Sequence, residues 1–175
     1  VKLSTSLVGV SGRPSQIQIP SGFKFTATVD DEDYVFQTQE NLTGVDDGFG
    51  FYEFKTANAS NIITIFEGTA KTKTFLITEQ SESAVYIIPD ANMDISTAVV
   101  RLYENPTASS FSTYTNILNA TTISQLSTLY ILKEAPNGFF ELSFGNGTTL
   151  GRAPDAGEKA TVNYLASNGA GANTA

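Results

Sequence analysis

Cysteine, histidine and tryptophan are absent from the 175 residues, and methionine occurs once. Without cysteine there is neither a disulfide nor a thiolate, which fits assembly in a reducing cytoplasm. Without histidine, Ser-His-Asp and Cys-His catalysis and every histidine-based metal site are excluded. No run approaches the roughly 18 apolar residues that span a membrane, and no sustained apolar core follows Lys2 as a signal peptide requires. Helical periodicity is almost missing. Basic charge is scarce as well: 10 Lys and Arg against 18 Asp and Glu leave −8. The excess sits in residues 1–100, with 13 acids and 6 bases, whereas 101–175 hold 5 acids and 4 bases. An acidic surface repels nucleic-acid phosphates and anionic lipid, so neither is an expected partner, and solubility is the simplest role for the charge.

What is present is a series of short alternating runs punctuated by turn residues. Phe23, Phe25, Ala27 and Val29 oppose Lys24, Thr26 and Thr28, the period-2 pattern of a strand. Further strands are predicted at 34–38, 42–45, 50–55, 84–88, 97–104 and 129–133. The run 61–68 (NIITIFEG) is nearly continuous in apolar residues and reads as a strand covered on both faces. At 71–79 the lysine-bearing end suits a solvent-facing edge. Residues 107–127 read as irregular with at most one helical turn, because Ser and Thr separate Phe111, Tyr114 and Leu118. A polar break at 80–83 suggests a boundary, giving a β-rich module at 1–80, a second at 81–165 and a linker-like tail at 166–175. The fold class is therefore all-β, a sandwich or partly closed barrel of short antiparallel strands.

Candidate chemistry is sparse. Asp30-Asp31-Glu32-Asp33 and Asp46-Asp47-Gly48 lack the alternating oxygen spacing and sixth-position glycine of a calcium loop, and they fit hairpin turns from 23–29 to 34–38 and from 42–45 to 50–55. A glycosidase needs two carboxylates about 5–10 Å apart across a cleft, and nothing in the spacing supports one. A hydrolase assignment cannot fill the roles of nucleophile, base and orienting group. The sequons at Asn41, Asn58, Asn119 and Asn146 carry no inference of secretion in a chain so rich in Asn and Thr. The reading is a non-enzyme with no cofactor and no metal.

The most shaped stretch is 137–164, NGFFELSFGNGTTLGRAPDAGEKATVNY. Phe140, Leu142 and Phe144 share one side of a strand at 139–144, and Val162 and Tyr164 oppose Thr161 and Asn163 in a strand at 160–165. The two read as a hairpin whose long turn uses Gly145, Gly147, Gly151 and Gly157 for backbone freedom, Pro154 for a bend, and the side chains of Asn146 and Asp155 as turn caps. A phosphate loop would need a lysine and a helix behind the glycines. Arg152-Ala153-Pro154 follows instead, so the turn reads as structural.

The pattern FxLxFGNGxxLGxxPxxGxxxxVxY, preceded by LYILKEAPNG and followed by SNGAGAN, resembles the end of the J-like baseplate domain of contractile phage tails, and within that family the wedge proteins of the T-even type. IPSGFKF at 19–25, YVFQT at 34–38 and YIIPDANMDISTAVVRLYE at 86–104 fit the same pattern. Asn146 stands where relatives in that family often carry an acid. The motif positions are Phe144, Gly145, Asn146, Gly147, Gly151, Pro154, Gly157 and Tyr164. The resemblance implies a virion protein of the tail baseplate, assembled in the host cytoplasm, that forms a homo-oligomer (a dimer within a ring) and docks with other wedge proteins. It also implies a longer parent chain, in keeping with a start at Val1. The alternative is a carbohydrate- or receptor-binding β-sandwich of a tail fibre or surface protein.

Overall fold

The computed structural model describes residues 2–4, 13–29, 31–60, 62–80, 83–167 and 169. It is nearly all β. The chain divides into two compact units, 1–68 with 168–175, and 69–167. This division falls ahead of the polar break at 80–83, so the strand that follows Gly68 belongs to the second unit.

In the first unit, β1 (Lys2–Ser4), β2 (Gln16–Ile19), β5 (Leu42–Asp46) and β6 (Phe51–Lys55) form a sheet in the order β1-β6-β5-β2. The strands β3 (Lys24–Val29), β4 (Glu32–Thr38) and β7 (Ile65–Glu67) form a second, in the order β3-β4-β7. Both predicted hairpins are present. Asp31 takes φ 65° in the β3–β4 turn, while Asp30 lies outside the described residues. In the β5–β6 turn the Asp46 carboxylate accepts from Gly48 N, and the Asp47 carboxylate accepts from Phe49 N and Phe51 N. Arg13 pairs with Asp46, whose carboxyl is held below its ordinary range by that contact first and by Gly48 N second. Buried Leu42, Tyr52 and Phe54 form the small core. Phe54 lies across the strand from Gly44, where a Cβ would come within 2.7 Å of its ring.

The apolar run 61–68 departs from its expected form. Asn61 is outside the described residues, Ile62 is 80% exposed, and only β7 is extended, paired with β4 alone. A three-residue strand at the end of a sheet is not covered on both faces, however apolar its sequence.

The second unit is one seven-stranded sheet: β8 (Thr69–Leu76), β9 (Tyr86–Ile88), β10 (Met93–Tyr103), β11 (Ser112–Asn116), β12 (Leu129–Glu134), β13 (Phe140–Phe144) and β14 (Lys159–Ala166). Their order is β8-β14-β10-β11-β12-β13-β9. Every pairing is antiparallel except β11 with β12. The sheet curls until its outer strands meet through side chains: the Phe75 and Tyr86 rings lie 5.3 Å apart. It is thus a nearly closed barrel, filled by Ile88, Val100, Leu102, Leu142, Val162 and their neighbours. The inward residues of β13 are those the alternation predicts, Phe140, Leu142 and Phe144.

Two expectations are corrected in this unit. Residues 107–127 contain β11 as well as a single 3-10 turn at Ile117–Asn119. Only Tyr114 of β11 is buried, and its hydroxyl-rich neighbours face out, so the strand carries one apolar residue and no visible alternation. The runs at 139–144 and 160–165 are strands but not a hairpin. Three strands separate β13 from β14 in the sheet order, so residues 145–158 form a crossover.

A bulge interrupts β10 between Asp94 and Val99. There the buried Thr97 hydroxyl donates to Asp94 O at 2.7 Å and accepts from Leu165 N at 2.9 Å, replacing the missing ladder bond. Among the described residues no helix is long and apolar enough to cross a membrane. Thr97→Val leaves the buried Leu165 N–H without its acceptor and is expected to lower unfolding stability by about 1–3 kcal/mol in urea titration, with Thr97→Ser costing clearly less.

Candidate functional site

The crossover lies over one end of the barrel. That end is fixed by the registers that bring together the close of β8, β10 and β13 and the start of β11, β12 and β14. A chain crossing a barrel mouth must bring backbone against backbone, and the glycines answer that need. A Cβ on Gly145 would lie 2.3 Å from the carbonyl of Gly151, and one on Gly151, at φ 101°, would lie 2.6 Å from Ser127 O. Gly147 and Gly157 adopt φ 74° and 93°. Gly147 N donates to Gly151 O at 2.8 Å, closing the tight part of the loop.

Asn146 holds that loop from inside. Its side-chain oxygen accepts from Thr148 N, Thr149 N and Leu150 N at 2.9–3.0 Å, and its amide nitrogen donates to Thr149 Oγ1. The capping role read from the sequence is correct for Asn146. For Asp155 it is reversed: Asp155 N donates at 2.7 Å to the Glu158 carboxylate, and the Asp155 side chain instead accepts from Arg152 and Gln80.

Past the loop the chain is bonded to the barrel rim. Arg152 N donates to Ser127 O, Gly157 N to Ile77 O, and Ile77 N to Glu158 O. Ala153 and Pro154 are buried over the barrel end. The Arg152 guanidinium donates to Tyr114 Oη at 3.0 Å, to Asp155 at 2.9 Å and to Glu158 at 2.7 Å. Burial opposes the Arg152 charge, but the hydrogen bonds with Glu158 and Tyr114 outweigh it and hold the group protonated beyond its ordinary range. Burial pushes the Tyr114 hydroxyl up, with Arg152 opposing. Sequence reading passed over this cluster; its signal was the spacing of Arg152, Asp155 and Glu158 three residues apart in a sparsely charged half.

Phe144 anchors the start of the crossover, packing edge-on against Tyr86 and Tyr114. Tyr164, the last motif position, lies at the opposite end of the barrel, in the register that starts β8. Its hydroxyl donates to Asp90 at 2.9 Å, and Asp90 also takes Lys71 at 2.8 Å. Burial pushes the Asp90 carboxyl up, but hydrogen bonds from Lys71, Tyr164 and Asn92 N leave it below its ordinary value. Burial, with Asp90 beside it, pushes Tyr164 up to about 12. The motif therefore marks both ends of one barrel and assembles no single reaction centre.

Beside the crossover is a groove of about 280 Å³ bordered by Glu104, Phe111, Thr128, Arg152 and Glu158. Its Arg152 and Glu158 are bonded to each other. The Phe111 ring, half-exposed, lies under the Arg101 guanidinium at 4.6 Å and packs at a tilt against Tyr103 at 5.4 Å. Among the described residues no three acidic side chains converge as metal ligands would.

Gly145→Ala is expected to cost about 2–4 kcal/mol by chemical denaturation, because the close neighbour is backbone. Gly157→Ala meets nothing within 4 Å and carries only the left-handed backbone penalty of about 1–2 kcal/mol. Tyr164 gives a pH test. Its pKa is raised by folding, so its contribution is complete below about pH 10, the unfolded value, and is lost as pH rises toward about 12. Tyr164→Phe should flatten the stability loss over that window while lowering neutral stability by about 1 kcal/mol through the lost hydrogen bond. No protein-family model matches the chain, and no curated protein matches it significantly in sequence.

Proposed function

We propose that this chain is a structural subunit of a contractile phage tail baseplate wedge, acting by self-association and by docking with neighbouring baseplate proteins in the virion. The observation that carries the reading is how the glycine-rich motif uses its polar groups. Asn146 caps its own loop, Arg152 and Glu158 clamp the crossover to the barrel, and Tyr164 and Asp90 bond at the other end. A motif whose side chains bond to their own fold is suited to holding a shape that neighbours recognise. The resemblance of 137–164 to the J-like baseplate domain supplies the kind of assembly. Among the described residues the outer edge of β3 has no strand partner, and it offers the strand-addition surface such a subunit needs.

A second reading, a carbohydrate- or receptor-binding module, is favoured by one feature, the half-exposed Phe111 at the rim of the groove beside Arg152. Sedimentation velocity at micromolar concentration separates the two. The wedge reading predicts a discrete dimer or larger species. A strictly monomeric chain whose melting temperature rises with one member of a sugar panel supports the binding module and contradicts the wedge subunit.

A further inference from the structure

Among its described residues the first unit has a small core cluster and several exposed aromatics. Its core cluster is Leu42, Tyr52 and Phe54, whereas Phe23 and Phe25 are 45% and 38% exposed, with rings 5.2 Å apart. A unit of this size buries barely enough apolar surface to fold, and an exposed aromatic stripe marks a surface that association covers. Phe23 and Phe25 lie at the start and on one face of β3, which ends its sheet and has no strand partner on its outer side among the described residues. The backbone of that edge is poised for pairing. Thr38 N donates to Phe23 O, so the antiparallel alternation turns the N–H and C=O groups of Phe25 and Ala27 toward β4 and those of Lys24, Thr26 and Thr28 outward.

We propose that β3 is a self-docking edge: two copies pair β3 with β3, antiparallel about a two-fold axis at Thr26, merging their three-stranded sheets into one. In this register Thr26 bonds its own counterpart and Lys24 bonds Thr28 of the second copy, so every outward backbone group between them is used. The apolar face becomes continuous, because Phe25 falls opposite the small Ala27 of the second copy, with Phe36 and Tyr34 flanking on the β4 strands. The charges are self-complementary. β3 carries Lys24 at its beginning and runs into Asp31, Glu32 and Asp33 at its end, and antiparallel pairing places each beginning against the other's end. Thr28 already donates to Asp33 at 2.6 Å, so Lys24 of one copy meets Asp33 of the other across a single threonine. The longer outer strand β8 lacks this property: Lys71 and Lys73 sit within it, and like charges along an edge discourage self-pairing. An interface with one patch meeting itself closes as a dimer and does not propagate.

The proposal rests on the self-association reading and names its surface. Because the chain has no cysteine, Thr26→Cys can be cross-linked only to its own counterpart. Directly opposed residues of a hydrogen-bonded antiparallel pair have Cα atoms about 5.5 Å apart, within disulfide range. Mild oxidation of the Thr26→Cys chain at micromolar concentration should give a covalent dimer, and Thr72→Cys on β8 should not. Lys24→Glu should weaken dimerisation in sedimentation equilibrium by about tenfold or more, and adding Asp33→Lys to the same chain should restore it. A dimer that persists in Lys24→Glu and gives no disulfide at position 26 overturns the β3 edge and leaves self-association standing. A chain that stays monomeric and gives no cross-link overturns both.

Discussion

The constraint on which the second unit depends is the passage from β13 to β14. The chain leaves β13 with three strands between it and the place where β14 must pair, and it makes the journey across the open end of a barrel. That route places backbone within van der Waals reach of backbone, so the positions of closest approach, Gly145 and Gly151, have no room for a side chain. It also strips water from polar groups, and unpaired buried N–H groups are costly. Glu158 accepts from Asp155 N and Ser127 O from Arg152 N, while the Asn146 side-chain oxygen caps the exposed amides of its own loop. The glycines that resemble a phosphate loop in sequence are thus accounted for by the closure of the barrel.

The two ends of that barrel are closed by related means. At one, Arg152 is held by Glu158, Asp155 and Tyr114; at the other, Asp90 gathers Lys71 and the Tyr164 hydroxyl. The first ties the crossover to Tyr114 of β11, and the second ties the β9–β10 turn to the paired strands β8 and β14. The bulge in β10, repaired by Thr97, keeps Val100 and Leu102 directed inward. The result is an apolar barrel tied at both ends by side-chain bonds. The first unit contrasts with it, since its largest side chains are divided between a small core and an exposed face.

Much of this was legible in the sequence because alternation is a local signal. The inward faces of β10, β13 and β14 follow directly from Val100-Leu102, Phe140-Leu142-Phe144 and Val162-Tyr164, and the shared face of β3 from Phe23-Phe25-Ala27. The turns at Asp31 and Asp46-Asp47-Gly48 follow from the chemistry of their residues. What was hidden depends on contacts distant in sequence. Nothing local distinguishes a long hairpin loop from a crossover, so the partners of β13 and β14 were misassigned. The strand β11 has one inward residue, Tyr114, and its pairing with β12 is decided by the barrel. The run 61–68 was apolar enough for a buried strand, but burial belongs to the sheet, and β7 sits at the margin of one. At the candidate site the glycines and Asn146 announced a shaped turn, whereas the Arg152 clamp required the positions of Tyr114 and Glu158 in space.

The central claim is that the glycine-rich crossover is as much a part of the rigid fold as the strands it joins. Native-state hydrogen exchange resolved to single amides tests this most directly. Gly147, Leu150, Arg152 and Gly157, whose N–H groups are bonded to Gly151 O, Asn146, Ser127 O and Ile77 O, should exchange with protection approaching that of Val100 and Val162 in the barrel. Exchange of these four amides at rates near those of an unstructured peptide, with β10 and β14 still protected, would contradict it.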